Sequence, residues 1–415
     1  MDLFEKICGG ARGPLAALSH ATHGAASFPK LTGPISNRML WNGQEMLVWS
    51  INNYLGLADL PEVRASDAEF AARYGLAAPM GSRMMSGETN DLELLESELA
   101  DYARKPAALF LNYGYQGMVS LIDSLLTRHD WVVYDAQSHA CIIDGVRLHT
   151  GRAKSFPHND VERLETVLEQ IEKLRKPDDS VLVITEGVFG MSGAQGRLRD
   201  IVALKPRFGF RLLVDDAHGF GLLGPDGGGT GEAQGVQDGI DLYFGTFAKA
   251  GASIGAFVAG PDAVIWQLRY TMRSQIFAKG LPWPIVAGNR VRLRLMRTRP
   301  ELRRQCWAVA SALQDALRGA GFDVGPTAAP VTPVFYPMEG ITMERGLEFL
   351  NTLRYKYGVF ASAVIYPVVP AGVGQLRLIP TAAHEIGDIA PTVEAIVRAS
   401  RDVLGRKTVA SPVPA

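Results

Sequence analysis

Two hydrophobic rhythms alternate along the middle of this chain. Leu92, Leu95 and Leu99 recur at helical spacing, and Val161, Leu164, Val167, Leu168, Ile171 and Leu174 form a longer stripe of the same kind. Between such segments lie short runs that are apolar along their whole length: Ala107–Leu111, Trp131–Tyr134, Val181–Thr185, Arg211–Val214, Leu242–Gly245 and Ala256–Ala259. Strands buried on both faces and separated by helices predict an α/β domain with a mostly parallel sheet flanked by helices. Ahead of them, Arg38–Trp41 and Met46–Trp49 flank Asn42-Gly43, which predicts a type I′ hairpin.

Residues 1 to about 36 show no sustained period and read as an arm with one short helix. Near Pro282-Trp283-Pro284 the strand rhythm stops, and an Arg-rich helical stretch runs from about Ile285 to Gly319. Runs near Val331–Phe335, Val364–Val369 and Gln375–Ile379 then alternate with helical segments. The expected organisation is an arm and hairpin start over 1–45, a large α/β domain over 46–284 and a small α+β domain over 285–415, its last residues 410–415 frayed.

Composition narrows the function classes. With 42 basic against 43 acidic residues, no net field draws the chain to nucleic acid or an anionic surface. Cys8, Cys141 and Cys306 are widely spaced, without a zinc-ligand or redox pair, so no metal is expected and a reducing cytoplasm fits. No signal peptide is expected from the first residues, and no stretch approaches the ~20 apolar residues of a membrane span. Membrane contact, if any, is expected to be peripheral, at the inner membrane.

The candidate chemistry sits where two apolar runs end. Arg211–Val214 runs into Asp215-Asp216-Ala217-His218-Gly219, and Leu242–Gly245 runs into Thr246-Phe247-Ala248-Lys249, followed by small residues. In open α/β sheets ligands bind at the carboxyl ends of strands. Alone, the first segment reads equally as a turn with an aspartate capping the next helix, and the second as a solvated lysine. One strand-helix-strand step apart, they place a carboxylate, an imidazole and an amine on neighbouring strand ends. That trio suits pyridoxal 5′-phosphate (PLP): an imine-forming lysine, a carboxylate for the pyridine nitrogen and an imidazole for the phenolate.

The chain resembles the α-oxoamine synthases of PLP fold type I. The resemblance is carried by Asn52-Asn53-Tyr54-Leu55-Gly56-Leu57, Ser138-His139-Ala140, His158-Asn159-Asp160, Thr185-Glu186-Gly187-Val188-Phe189, Val214–Gly219, Gly245–Lys249 and Arg377–His384. It implies the aminotransferase-like fold, with Lys249 as Schiff-base lysine and general base, Asp215 on the pyridinium, His218 on the phenolic oxygen and His139 stacked on the ring. It further implies that Gly114, Tyr115 and Thr246 hold the cofactor phosphate, and that Arg377 and Asn52 bind the amino acid. Arg377 also admits an internal ion pair, and His139 alone also reads as a satisfied core histidine. The family builds its sites in homodimers, with the Phe277–Leu281 loop resembling the segment that reaches the partner's phosphate.

Departures from the family pattern are Gly190, Ala248, Ala278 and Gly280 in place of hydroxyl residues and Leu92 in place of histidine; Lys279 is expected to compensate as a cationic phosphate contact. Segments 112–117, 134–145, 232–235 and 365–370 look most like bacterial serine palmitoyltransferases. That implies condensation of L-serine with palmitoyl-CoA, or a carrier-protein thioester, to 3-ketodihydrosphingosine. Relatives that condense cysteate, glycine or alanine share the scaffold, and more distant readings are a simple aminotransferase or a non-catalytic subunit.

Overall fold

A computed structural model describes residues 2–8, 16, 19–20, 27–149, 151–366, 369 and 372–405. The strands in chain order are β1 (Leu31–Thr32), β2 (Arg38–Trp41), β3 (Gln44–Val48), β4 (Ala107–Leu111), β5 (Trp131–Asp135), β6 (Arg152–Phe156), β7 (Val181–Glu186), β8 (Arg211–Asp215), β9 (Leu242–Thr246), β10 (Ala256–Gly260), β11 (Thr332–Pro337), β12 (Val359–Phe360), β13 (Ser362–Val364) and β14 (Val373–Leu378).

Chain contacts divide the molecule into two compact units. The larger comprises Asn52–Gly190 and Ala194–Arg304. It is built on a seven-stranded sheet of order β4-β10-β9-β8-β7-β5-β6, parallel except for β10, which runs against both neighbours. Each apolar run forms its strand, and most strands extend one residue past the run onto a polar side chain: Asp135, Glu186, Asp215 or Thr246. The exception to the apolar rhythm is β6, a strand of sequence Arg-Ala-Lys-Ser-Phe at the sheet edge. One open side removes the need for an apolar run, so periodicity does not announce it.

Helix Trp283–Thr298 belongs to this unit, although the sequence reading began the small domain at residue 285. It packs on helices Pro61–Tyr74 and Asn90–Tyr102. Arg292 grips Asp67 through both carboxylate oxygens at 2.7 and 2.6 Å, and Arg290 pairs with Glu98 and Asp91. The helical stretch breaks at Arg299, which leaves the helical region (φ −120°, ψ 59°) ahead of Pro300. A residue before proline is disfavoured in the helical conformation, and a second helix, Pro300–Gly319, starts there.

The other unit comprises the described parts of Met1–Ile51, Met191–Gly193 and Gln305–Ala415. Its antiparallel sheet has the order β11-β14-β13, and a second sheet, β1-β2-β3-β12, joins the early hairpin to a late strand. Asn42 (φ 49°) and Gly43 (φ 80°) are both left-handed, the conformation a type I′ turn demands. β12 lies parallel to β3, pairing Val359 with Leu47 and Phe360 with Val48. This pairing draws residues 27–51 into the C-terminal unit. Leu47, Trp49, Val309, Leu313, Val334, Leu376 and Ile396 share one core there. Of the expected run Val364–Val369, residues Pro367 and Val368 lie outside the described residues, as does the 410–415 tail.

Candidate active site

The parallel register sets a row of polar side chains along the carboxyl edge of the seven-stranded sheet. Leu111 on β4 faces Ala256 on β10, which faces Thr246 on β9; Asp215 on β8 faces Glu186 on β7. Lys249 follows β9, His139 follows β5 and Gly114 follows β4, so those sequence-predicted groups gather at one edge.

Asp215 is buried at the end of β8. Its Oδ1 accepts the Ala217 amide at 3.1 Å, while Oδ2 has only the Cys141 thiol, at 4.0 Å, among the described residues. Burial raises its pKa, and the Lys249 and His139 charges oppose the shift. A buried carboxylate with one oxygen so lightly engaged can accept a cationic N–H donor at modest desolvation cost. Its neighbour Asp216 is instead fully committed. It accepts the Thr230 amide at 2.6 Å, the Thr230 hydroxyl at 2.7 Å and the Tyr243 hydroxyl at 3.1 Å. Burial still lifts its pKa to about 6. Asp216 therefore ties the 216–230 loop to β9.

His218 is buried, and its Nδ1 lies 2.8 Å from the hydroxyl of Tyr54, a fully buried residue. Tyr54 fixes the plane of the imidazole. Gly190, where relatives carry serine, has a local cause: an added Cβ would stand 2.2 Å from His218 Nε2. Lys249 lies half-buried in the tight turn between β9 and β10, closed by Ala252 N–H to Lys249 O (2.9 Å) and Phe247 N–H to Gly255 O (2.9 Å). Ala248 beside it is exposed.

His139 caps helix Ala140–Leu148, its Nδ1 accepting the Cys141 amide at 3.3 Å with the Cys141 sulfur at 3.0 Å. Its own amide donates to Glu186 Oε1 at 2.6 Å, and Tyr115 packs edge-on against the ring, centroids 6.1 Å apart. Burial lowers its pKa, with Asp215 opposing and Lys249 reinforcing the shift.

Gly114 opens helix Gly114–Leu125, and the first-turn amides of Gly114, Tyr115 and Gln116 donate to nothing among the described residues. Such a turn suits an anion. A Cβ on Gly114 would be 3.7 Å from Thr246 Oγ1, so the two predicted phosphate contacts are neighbours. The Thr246 hydroxyl donates to Gly255 O at 2.9 Å, which leaves its lone pairs facing Ala248 N at 3.1 Å. The Tyr115 hydroxyl turns away to Asp144. Lys279 approaches the turn through its backbone, its carbonyl accepting Asn112 Nδ2 at 2.8 Å. Its ammonium lies 3.5 Å from Met80 sulfur. A flat ring bearing a cationic N–H at one end and a phosphate at the other therefore fits this edge.

The two predicted substrate contacts, Arg377 and Asn52, belong to different units. Arg377 lies buried on β14 of the C-terminal unit, in register with Pro333 and Ser362; Asn52 is the half-buried first residue of the larger unit. Sequence reasoning assigned no role to Glu186, Tyr54 or Cys141. Glu186 carries the same signal as Asp215, an acid directly after an apolar run. Among the described residues no group of side chains could hold a metal ion, and no helix is long and apolar enough to cross a membrane.

Known proteins resemble this chain over most of its length. The model of the aminotransferase class I and II family matches residues 44–396. A cysteate-C-fatty acyltransferase of Capnocytophaga ochracea is 53% identical over 395 residues, covering 95% of this chain and 93% of that one. An 8-amino-7-oxononanoate synthase of Thermoanaerobacter pseudethanolicus is 32% identical, covering 91% and 94%. A serine palmitoyltransferase structure from S. paucimobilis with bound PLP and myriocin superposes with a TM-score of 0.89 at 28% identity, covering 98% of this chain and all of that one. With its PLP-dependent type I fold, this chain belongs to the class I and II aminotransferase family and, within it, to the α-oxoamine synthases.

Proposed function

We propose that this protein condenses an α-amino acid with a fatty acyl thioester, with loss of carbon dioxide, and that the amino acid is cysteate. The observation that carries the reading is the 53% identity, over 95% of the chain, to a cysteate-C-fatty acyltransferase. The motifs alone favoured serine, but identity to a serine palmitoyltransferase is 28%. The acyl donor is a CoA or carrier-protein thioester.

PLP is the cofactor, and bound at the sheet edge it supplies an electron sink for the charge left on Cα when the proton departs. Lys249 holds it covalently and, once freed by the incoming amino acid, takes the Cα proton as general base. Asp215, with its lightly engaged Oδ2, would hold the ring N–H and keep that end positive. His218, steadied by Tyr54, would hold the phenolic oxygen through its Nε2–H, and His139 would pack against the ring. The amides at Gly114, with Thr246 beside them, receive the phosphate. Arg377 takes the substrate carboxylate and Asn52 assists it, assignments that rest on the family resemblance.

In the overall reaction the Cα–H and thioester C–S bonds break and a Cα–acyl bond forms. The thiol leaves protonated, the carboxylate departs as carbon dioxide, and Cα is reprotonated. With cysteate the product is a 2-amino-3-oxoalkanesulfonate. The working form is a homodimer in which Lys279 of the Phe277–Leu281 loop serves the neighbouring chain's phosphate; light scattering on active protein checks this. Cysteate, serine, glycine and alanine are to be compared against acyl-CoAs and acyl-carrier proteins, with thiol release as the readout. Cysteate is expected to give the highest kcat/KM, and a higher value for serine would return the assignment to the motif-based one.

A further inference from the structure

We propose that Glu186 is a positioning residue of this site: it pins the backbone of His139 to the sheet edge and does so as an uncharged acid, leaving Asp215 as the only negative charge beside the ring. The proposal rests on the site reading above and extends it to a residue to which that reading gives no role.

The sheet order supplies the argument. β7 lies between β8 and β5, so Glu186 ends a strand flanked by two others that also end in aspartates, Asp215 on one side and Asp135 on the other. Asp135 is fully satisfied as an anion, accepting the Gln137 amide at 2.8 Å and the Asn159 amide at 2.9 Å, with His158 Nδ1 at 3.1 Å. Asp215 faces the Lys249 cation. Glu186 is in register with Asp215, on the same face of the sheet, and a second negative charge there, inside the protein, would be repelled by the first with little solvent to screen it. The groups that face Glu186 are Asp215, Asp135, Lys249, His139 and Cys141, and Lys249 is the one full cation among them. Burial first, then Asp215, hold its carboxyl well above the usual carboxylate range.

What Glu186 holds in place is visible in its contact. Oε1 accepts the amide of His139, the residue that both caps helix Ala140–Leu148 and carries the imidazole at the site. That bond joins the end of β7 to the start of the helix. Without it the His139 amide is left without its acceptor and the cap can shift away from the sheet edge.

The test compares Glu186→Gln with Glu186→Leu in the full-length protein. The readouts are the dissociation constant for PLP and the pH titration of the bound cofactor's visible band. Glutamine keeps the acceptor without any ionisable proton, so Glu186→Gln is expected to hold PLP within about twofold of the unmodified protein, with the same titration midpoint. Glu186→Leu removes the acceptor and is expected to weaken PLP roughly tenfold, the cost of one buried hydrogen bond. A midpoint displaced by a full pH unit in Glu186→Gln would mean that the carboxylate is charged, and would overturn the proposal. So would PLP binding unchanged in Glu186→Leu. Should the leucine variant not fold, the glutamine variant decides. If the unmodified protein takes up PLP without a visible band, the Lys249 assignment itself fails, an outcome distinct from either.

Discussion

The carboxyl edge of the seven-stranded sheet and the junction around His384 in the C-terminal unit both bury polar side chains, in opposite ways. At the junction every polar atom that matters is matched. His384 stacks on Trp49 at 3.8 Å, accepts the Thr381 amide on Nδ1 at 3.2 Å beside the Thr381 hydroxyl at 2.8 Å, and donates from Nε2 to Val48 O at 3.1 Å. Trp49 Nε1 donates in turn to Thr392 at 3.0 Å. At the sheet edge Asp215 has one lightly engaged oxygen, the Gly114 turn offers open amides, and His139 is exposed. Closed polar networks fix a fold, whereas open ones hold capacity for a ligand. Burial alone does not tell the two apart; the bookkeeping of partners does.

The largest expected effect that would break this contrast is at Lys249. Lys249→Ala is expected to lower turnover by roughly a thousandfold or more while the apoprotein melts at an unchanged temperature. Borohydride reduction that fixes PLP to a different lysine would remove Lys249 from the site.

The adjacent aspartates sharpen the contrast within two residues. Asp215→Ala is expected to cost roughly 10²–10³-fold in turnover with little loss of stability, since its second oxygen serves no part of the fold. Asp216→Ala should show the reverse, a loss on the order of 2 kcal/mol in a denaturant titration from stranding Thr230 and Tyr243. Equal turnover losses in both would show that the partner count misassigned them.

In the C-terminal unit, His384→Ala is expected to cost about 2 kcal/mol of stability while PLP affinity stays the same. Burial lowers the His384 pKa to about 4, against an unfolded value near 6.5. The unfolded chain therefore binds the proton first. The contribution of His384 is complete above about pH 6.5 and is lost as pH falls toward 4, at most about 1.4 kcal/mol per pH unit. Denaturant titrations at several pH values should show that limb shallower in the alanine variant; parallel curves would mean that this histidine is not the sensor.

The smallest effect concerns Gly190. Gly190→Ser restores the hydroxyl that relatives carry, yet its Cβ collides with His218 Nε2. PLP affinity is expected to fall roughly tenfold, read by fluorescence, and an unchanged or tighter value would show that His218 yields at no cost.

What the sequence discloses follows from the same physics. Strands buried on both faces must be apolar, so Val181–Thr185 and Arg211–Val214 are legible; β6, with one open edge, need not be and is not. Asp215 stands out because a charge directly after an apolar run is costly without a purpose, and Lys249 because it follows the neighbouring apolar run one strand-helix-strand step away. Glu186 follows such a run too, but its partner is a backbone amide 47 residues earlier, a pairing no spacing rule reaches. The join between residues 47–48 and 359–360 is similarly silent, since β12 is two residues long. Pro300 does mark where the long helical stretch breaks, yet which side helix Trp283–Thr298 packs on is decided by Asp67, Asp91 and Glu98, far away in the chain.

That late join has a consequence for how the protein is made. The bond from Trp49 to Thr392 spans 343 residues, which at ribosomal speeds of ~5–20 residues per second is a wait of roughly 20–70 s between the two partners. During that interval the seven-stranded sheet emerges complete, while the hairpin carrying Trp49 has neither β12 nor the helix Ile389–Leu404 to cover it. Nascent chains of this protein thus carry β3, and Trp49 directly after it, unsheltered through most of their synthesis. A chain truncated anywhere before residue 359 lacks β12, the late strand that pairs with β3.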